Sequence, residues 1–287
     1  MDDFDGASAV VTGGASGIGL GLATALLEDG AAGVAIADVE QGALDGAVDH
    51  LRSLGHPGKV VGLACDVTDP LAMEELAQAA WEELGSIEVV CLNAGVFAGG
   101  AAWETTDADW DWVLGVNLRG VVNGIRAFVP GLIEGGAPSH VLITASIAGI
   151  VAAPASAVYC TSKFAAVGLA ESLHHDLQLA GASHVATSVI CPGMVATNID
   201  HGDRNRPGSL GEATDTATSR LAVDAIAETL ARPDALDPLE GARHALGQAK
   251  AGRFYVTTHA GDLWDRLVAN ENEDRLAGRP PRFQMYE

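Results

Sequence analysis

The sequence predicts an α/β fold built on a doubly wound parallel sheet, in a single domain over residues 1–287. Three observations predict it. Short apolar runs alternate with helix-patterned stretches from Ala9 to Val189, as strands joined by crossover helices would. The first run meets a glycine-rich turn, and the second ends on an acidic residue nineteen positions beyond that turn's last glycine. Finally, a chain of 287 residues that is 48% hydrophobic can bury a substantial core, and α/β folds of this size commonly form one domain.

The first element, Ala9-Val10-Val11, reads as a short buried strand. It runs into Thr12-Gly13-Gly14-Ala15-Ser16-Gly17-Ile18-Gly19, and a helical pattern follows from Leu20 to Leu27. Strand, glycine turn and helix in that order make a phosphate loop. Missing side chains let the backbone approach a pyrophosphate, and free N–H groups at the helix start meet its charge. Gly13, Ser16, Gly17, Ile18 and Gly19 are the candidate contacts. The second strand, Gly33 to Ala37, ends at Asp38. A carboxylate there suits both ribose hydroxyls of NAD and repels the extra phosphate of NADP. No Arg or Lys lies in the glycine loop or within ten residues after Asp38, which also argues for NAD(H). The plainer alternative is an aspartate that only caps the next turn.

Further runs follow in order: Lys59 to Cys65, then Asp66-Val67; Ile87 to Leu92, then Asn93-Ala94-Gly95; and Val141 to Ala145, then Ser146. Next comes Tyr159-Cys160-Thr161-Ser162-Lys163. Positions i and i+4 of a helix share a face, so an ammonium is held near a phenol. A free tyrosine has a pKa of about 10, and a fixed cation favours the phenolate. A phenol tuned toward neutrality could exchange a proton with a substrate hydroxyl. Taken alone, the pair reads more readily as an accident of a helix surface.

Together these features bring a resemblance. Over nearly its whole length the chain resembles the short-chain dehydrogenase/reductase family, whose fold is Rossmann-like. Thr12-Gly13-x-x-x-Gly17-x-Gly19 matches that family's cofactor motif, Asp66-Val67 its adenine-holding pair, and Asn93-Ala94-Gly95 its motif beneath the cofactor. Asn117 matches the helix asparagine, and Ser146, thirteen residues before Tyr159, the catalytic serine. Pro192-Gly193-Met194-Val195-Ala196-Thr197 matches the segment that closes over the nicotinamide. The resemblance implies hydride exchange between a secondary alcohol or ketone and NAD(H). It makes Tyr159 the general acid/base and Lys163 its pKa-lowering partner and ribose ligand. Ser146 becomes the donor to the substrate oxygen, and Asn117 the holder of a water linking the lysine to solvent. Two other readings stay open: a catalytically silent NAD-binding sensor or scaffold, and a nucleotide-sugar epimerase or dehydratase.

Substrate specificity is expected in a lid over residues 198–232, helical from about Ala217. A tail over 260–287, including Trp264 and Leu267, continues past the strand Arg253 to Thr258, where many relatives stop. Helices over 108–133 and 157–180 would match the family's four-helix contact. The second offers Phe164, Val167, Leu169, Ala170, Leu173 and Leu177, more apolar positions than one core-facing stripe needs. A homo-oligomer is expected, a tetramer ahead of a dimer.

A net charge of −22 disfavours nucleic acid and anionic membrane. Val141 to Cys160 is uncharged, but Gly149, Pro154 and hydroxyl side chains interrupt it, so no membrane span is read there. Cys65, Cys91, Cys160 and Cys191 lack paired metal-ligand spacing, no metal site is expected, and reduced thiols in a cytoplasmic protein fit best. His201 is weighed as a substrate contact against a solvated loop residue. Trp103, Trp110 and Trp112 are expected to anchor the Asn117 helix by packing.

Overall fold

Strands covered on both faces read as continuous apolar runs, and the chain's inner strands are of that kind, while its two edge strands are partly exposed. A computed structural model describes residues 3–259 and 263–281. Its strands are β1 (Ser8–Thr12), β2 (Gly33–Asp38), β3 (Lys59–Ala64), β4 (Val89–Leu92), β5 (Ser139–Thr144), β6 (Val185–Cys191) and β7 (Tyr255–Thr257). All pair in parallel, in the order β3-β2-β1-β4-β5-β6-β7. Val10 of β1 stands beside Ala35 of β2 and Val90 of β4. The strand order reverses between β1 and β4, so a crevice opens at their carboxyl ends, where such sheets bind ligands.

Side chains alternate between two helical layers. Val10, Val90, Val141 and Ile143 pack toward α3 (Pro70–Leu84), α5 (Gly120–Gly135) and α6 (Ala157–Leu179). Ala9, Val11, Val89, Cys91 and Leu142 pack toward α1 (Gly17–Glu28), α2 (Gln41–Ser53) and α8 (Pro238–Lys250). Phe128 of α5 is fully buried, its ring 5.5 Å from that of Trp81 on α3. Truncating such a residue costs about 3–5 kcal/mol.

The Asn117 helix is not uniform. α4 (Asp107–Leu114) passes into a wide π turn, Gly115–Arg119, before α5 resumes. Single π turns inside helices occur frequently at functional sites. In the 198–232 segment expected to form a lid, two 3₁₀ turns, Ile199–Asn205 and Gly208–Leu210, precede α7 (Ala217–Leu230). The helical start at Ala217 agrees with the sequence reading. Helix α8 was not anticipated. Of the tail, α9 (Leu263–Leu276) is helical, while residues 260–262, 282–287 and the Trp264 side chain lie outside the described residues. Leu267 of α9 packs on Ile147 and Val151, just beyond Ser146. No described helix is long and apolar enough to cross a membrane.

Two packing expectations need correction. Trp112 is buried and Trp110 donates from Nε1 to Thr105 Oγ1 at 3.0 Å, but Trp103 stands in solvent at 88% exposure and anchors nothing. On α6, Val167, Ala170, Leu173 and Leu177 are buried within the chain itself. Only Phe164 and Leu169 of the expected second face are half-buried, and Arg275 of α9 lies 5.7 Å over the Phe164 ring.

Candidate active site

A cleft of about 490 Å³ opens at the crevice between β1 and β4. Its floor is set by the glycine turn. A side chain on Gly19 would meet the Gly13 carbonyl oxygen at 2.0 Å, and Gly17 takes φ +52°; only glycine suits either place. Ser16 precedes α1 without capping it through its side chain, so N–H groups of the first helical turn stay available to an anion. Asn93 and Ala94 fix the turn from β4. Both backbone N–H groups donate to Thr12 Oγ1 (2.9 and 3.2 Å), and Asn93 Nδ2 donates to the Thr12 and Gly13 carbonyls.

Asp38, at the end of β2, accepts from Ala15 N at 3.2 Å and Glu40 N at 3.1 Å. The carboxylate is thus tied to the glycine turn and lines the cleft with Asp66 and Val67. Asn123 of α5 donates to the Val67 carbonyl at 2.9 Å and holds that wall. The glycine cradle, the open helix start and the acidic strand end fit a dinucleotide.

At the other end lies a compact polar group. Lys163 is buried and donates from Nζ to the Thr144 carbonyl at 3.1 Å. The same Nζ lies 5.7 Å from the Tyr159 ring centroid. A side chain on Gly95 would stand 3.3 Å from Lys163 Nζ and 3.5 Å from Asn117 Oδ1, which shows how closely these groups gather. Asn117, in the π turn, accepts from Val96 N at 2.8 Å and donates to the Val96 carbonyl and Ser162 Oγ, each at 2.9 Å. Ser162 in turn donates to the Tyr159 carbonyl at 2.7 Å. Ser146 is buried and caps the following turn by accepting from Ala148 N at 3.1 Å.

Burial governs the charges here. It pushes the Tyr159 phenol up to about 12, against the pull of the Ser146 hydrogen bond. It pulls Lys163 down to about 8. The sequence reading expected the lysine to draw the phenol toward neutrality; in the folded chain loss of solvation sets the direction of the Tyr159 shift.

Of the residues read from sequence, Gly13, Ser16, Gly17, Ile18, Asp38, Asp66, Val67, Asn93, Ala94, Gly95, Ser146, Tyr159, Lys163, Pro192, Gly193, Val195 and Thr197 all line the cleft. Gly19 and Asn117 do not. Gly19 supports the turn from behind, and Asn117 braces Val96 and Ser162. His201 is solvated, its side chain 76% exposed. Ile199, Arg204, Asn205 and Leu230, from the 198–232 segment expected to carry specificity, also line the cleft, whereas sequence reasoning missed Glu40, Val96, Trp112 and Val116. Only Val96 carried a signal, as the residue after Asn-Ala-Gly. Among the described residues no group of His, Cys, Asp or Glu is arranged to hold a metal ion.

Comparison with known proteins places this geometry. The family model described as short chain dehydrogenase matches residues 7–207. A 1-deoxy-11-beta-hydroxypentalenate dehydrogenase of Streptomyces avermitilis is 40% identical over 226 residues, 76% of this chain and 82% of the relative. Its counterpart from Streptomyces arenae is 42% identical over 214 residues, 73% of this chain and 74% of the relative. A crystal structure of a short chain dehydrogenase/reductase from Burkholderia phymatum in complex with NAD superposes with a TM-score of 0.93, at 36% identity and 100% coverage of both chains.

Proposed function

Because this chain belongs to the short chain dehydrogenase family, we propose that it is an NAD(H)-dependent oxidoreductase interconverting a secondary alcohol and a ketone. The observation that carries the reading is the gathering of Ser146, Tyr159 and Lys163 at one end of a cleft whose other end has a glycine cradle and Asp38.

The nicotinamide, when bound, supplies the hydride acceptor or donor. The chain's own work is proton traffic and alignment. Tyr159 takes the proton of the alcohol during oxidation and returns it during reduction. Lys163, with a value near 8, is largely protonated at neutral pH, and a cation there favours the phenolate that takes up the proton. Ser146 Oγ donates a hydrogen bond to the substrate oxygen, where negative charge develops. Asn117 acts by position, fixing Val96 and, through Ser162, the start of α6.

The substrate is a small neutral molecule. Apart from Lys163, the charged residues lining the cleft are Asp38, Glu40, Asp66 and Arg204, whereas Val96, Trp112, Val116, Ile199 and Leu230 offer apolar surface. Asp38 supports NAD over NADP. Four buried free thiols suit a reducing cytoplasm.

Self-association is part of the proposal. Leu114, Leu118, Val122 and Ile125 of the α4–α5 helix and Phe164 and Leu169 of α6 are half-buried apolar residues, and a symmetric partner would cover them. A tetramer is favoured over a dimer. Sedimentation in moderate salt tests this; a single species of 29.3 kDa would rule it out. Turnover of a panel of secondary alcohols with NAD, read as NADH absorbance, tests the activity.

A further inference from the structure

We infer that Glu40 is a positioning residue that holds the lid down across the cofactor and thereby sets how fast the dinucleotide leaves. The inference rests on the reading of the cleft as an NAD site.

Glu40 lies two residues beyond Asp38 and donates its backbone N–H to the Asp38 carboxylate at 3.1 Å. Its own carboxylate faces the lid. Oε1 accepts from Arg204 Nε at 3.0 Å and from Asn205 Nδ2 at 2.8 Å. These partners are 164 and 165 residues away in sequence. Arg204 is itself tied back along the lid, donating from Nη1 to the Asn198 carbonyl at 3.1 Å and the His201 carbonyl at 2.9 Å. Thr197, Asn198 and Ile199 line the cleft, as do Arg204 and Asn205.

The result is a strap. One end is the backbone at Thr197, in the segment that follows β6. The other is fastened to the residue hydrogen-bonded to Asp38, the carboxylate placed for the adenosine ribose. A dinucleotide lying between the glycine cradle and Lys163 would have this strap over it. The Arg204 and Glu40 side chains are 38% and 34% exposed, so the ion pair is screened and weak. That suits a fastening that must open in every turnover.

The test is NADH dissociation by stopped flow in a double-mutant cycle, with NADH affinity titrated separately. Glu40→Ala removes both lid contacts and is expected to raise the dissociation rate about three- to thirtyfold. Arg204→Ala should raise it less, because Asn205 still reaches Glu40. Glu40→Gln keeps an acceptor oxygen and should fall between wild type and Glu40→Ala. The KM for NAD should rise by a larger factor than the single-turnover hydride-transfer rate falls, a split that general damage to the fold would not produce. In the Glu40→Ala background, Arg204→Ala should add less than it does alone, only the loss of its bonds to the Asn198 and His201 carbonyls remaining. Independent, additive effects, or wild-type dissociation in all variants, would overturn the inference while leaving the NAD site intact. Failure of the wild-type protein to bind NADH would overturn both. Circular dichroism of each variant separates a lost strap from a lost fold.

Discussion

Asp109→Ala should unfasten the lid at its other anchorage, and the structure sets the size of the effect. The Asp109 side chain is 1% exposed and meets that of Arg206, 4% exposed, with Nη1 2.8 Å from Oδ1. Oδ2 also accepts from Thr106 N and Oγ1, each at 2.8 Å, and from Thr214 Oγ1. Arg206 lies 5.4 Å over the Trp112 ring and donates from Nε to the Gly211 carbonyl at 2.9 Å. Removing the carboxylate strands a cation in a dry site, which costs about 3–5 kcal/mol. It also breaks the capping box of α4, worth about 1 kcal/mol more. Where this segment opens without global unfolding, a loss of about 4–6 kcal/mol makes opening about a thousandfold or more frequent, at roughly 1.4 kcal/mol per tenfold. Limited proteolysis within 198–216 is the assay. Arg206→Ala should be milder, since Asp109 keeps its threonine donors. Burial opposes ionisation of Asp109, yet hydrogen bonds from Thr214 and Thr106 and the Arg206 charge hold its carboxyl below the ordinary value. Its contribution is therefore present above the unfolded value and lost as pH falls through the folded one. Wild-type protection should weaken in acid, and Asp109→Ala should lack that sensitivity. Wild-type proteolysis rates in Asp109→Ala, or greater damage from Arg206→Ala, would refute the reasoning.

Three further outcomes are expected. Tyr159→Phe should bind NADH normally and lose at least about 100-fold in turnover; near-normal turnover would remove Tyr159 from the proton path. Asp38→Ala combined with Val39→Arg should narrow or reverse a preference for NAD over NADP, measured as the ratio of kcat/KM values, and an unmodified enzyme indifferent between the two would contradict the role of Asp38. Lys163→Met should abolish activity yet stabilise the fold at pH 7. Burial holds the native ammonium near 8 against a usual 10.5, so below about pH 8 the charge is carried at a cost. That cost fades as pH rises from about 8 to 10.5. Relieving it should contribute roughly 1–3 kcal/mol at pH 7, seen as a higher Tm. A stabilisation that grows, rather than shrinks, between pH 7 and 10 would show the sign to be wrong.

Local chemistry explains what could be read in advance. The glycine turn, Asp38, Asn93-Ala94-Gly95 and the Tyr159–Lys163 pair each sit in a short segment whose strand or helix context is visible nearby, and all of them line or border the cleft. The 198–232 segment was legible as a cover for the cleft, but the pairing of its Arg204 and Asn205 with Glu40 was not, because it joins residues more than 160 positions apart. The π turn was equally hidden, since Gly115 to Arg119 carries no pattern that distinguishes it from ordinary helix. The charge states failed for a related reason. Spacing along a helix says that Lys163 is near Tyr159, but not that both are removed from water. The six apolar positions on α6 misled because a two-sided sheet protein buries more of each helix than one stripe, and α9 covers part of the remainder.

The π turn also acts as a phase joint. An α-helix advances about 100° per residue, so one extra residue in a turn decides which way everything after it faces. On the near side, α4 turns Trp112 and Val113 toward Val96 and Val158. On the far side, α5 turns Val121, Phe128 and Leu132 into the sheet core. Deleting a single residue between Gly115 and Arg119 would let the helix rewind, and both sets could no longer be served at once. The segment is best regarded as two helices with separate clients, and Asn117 sits on the joint that keeps them in step.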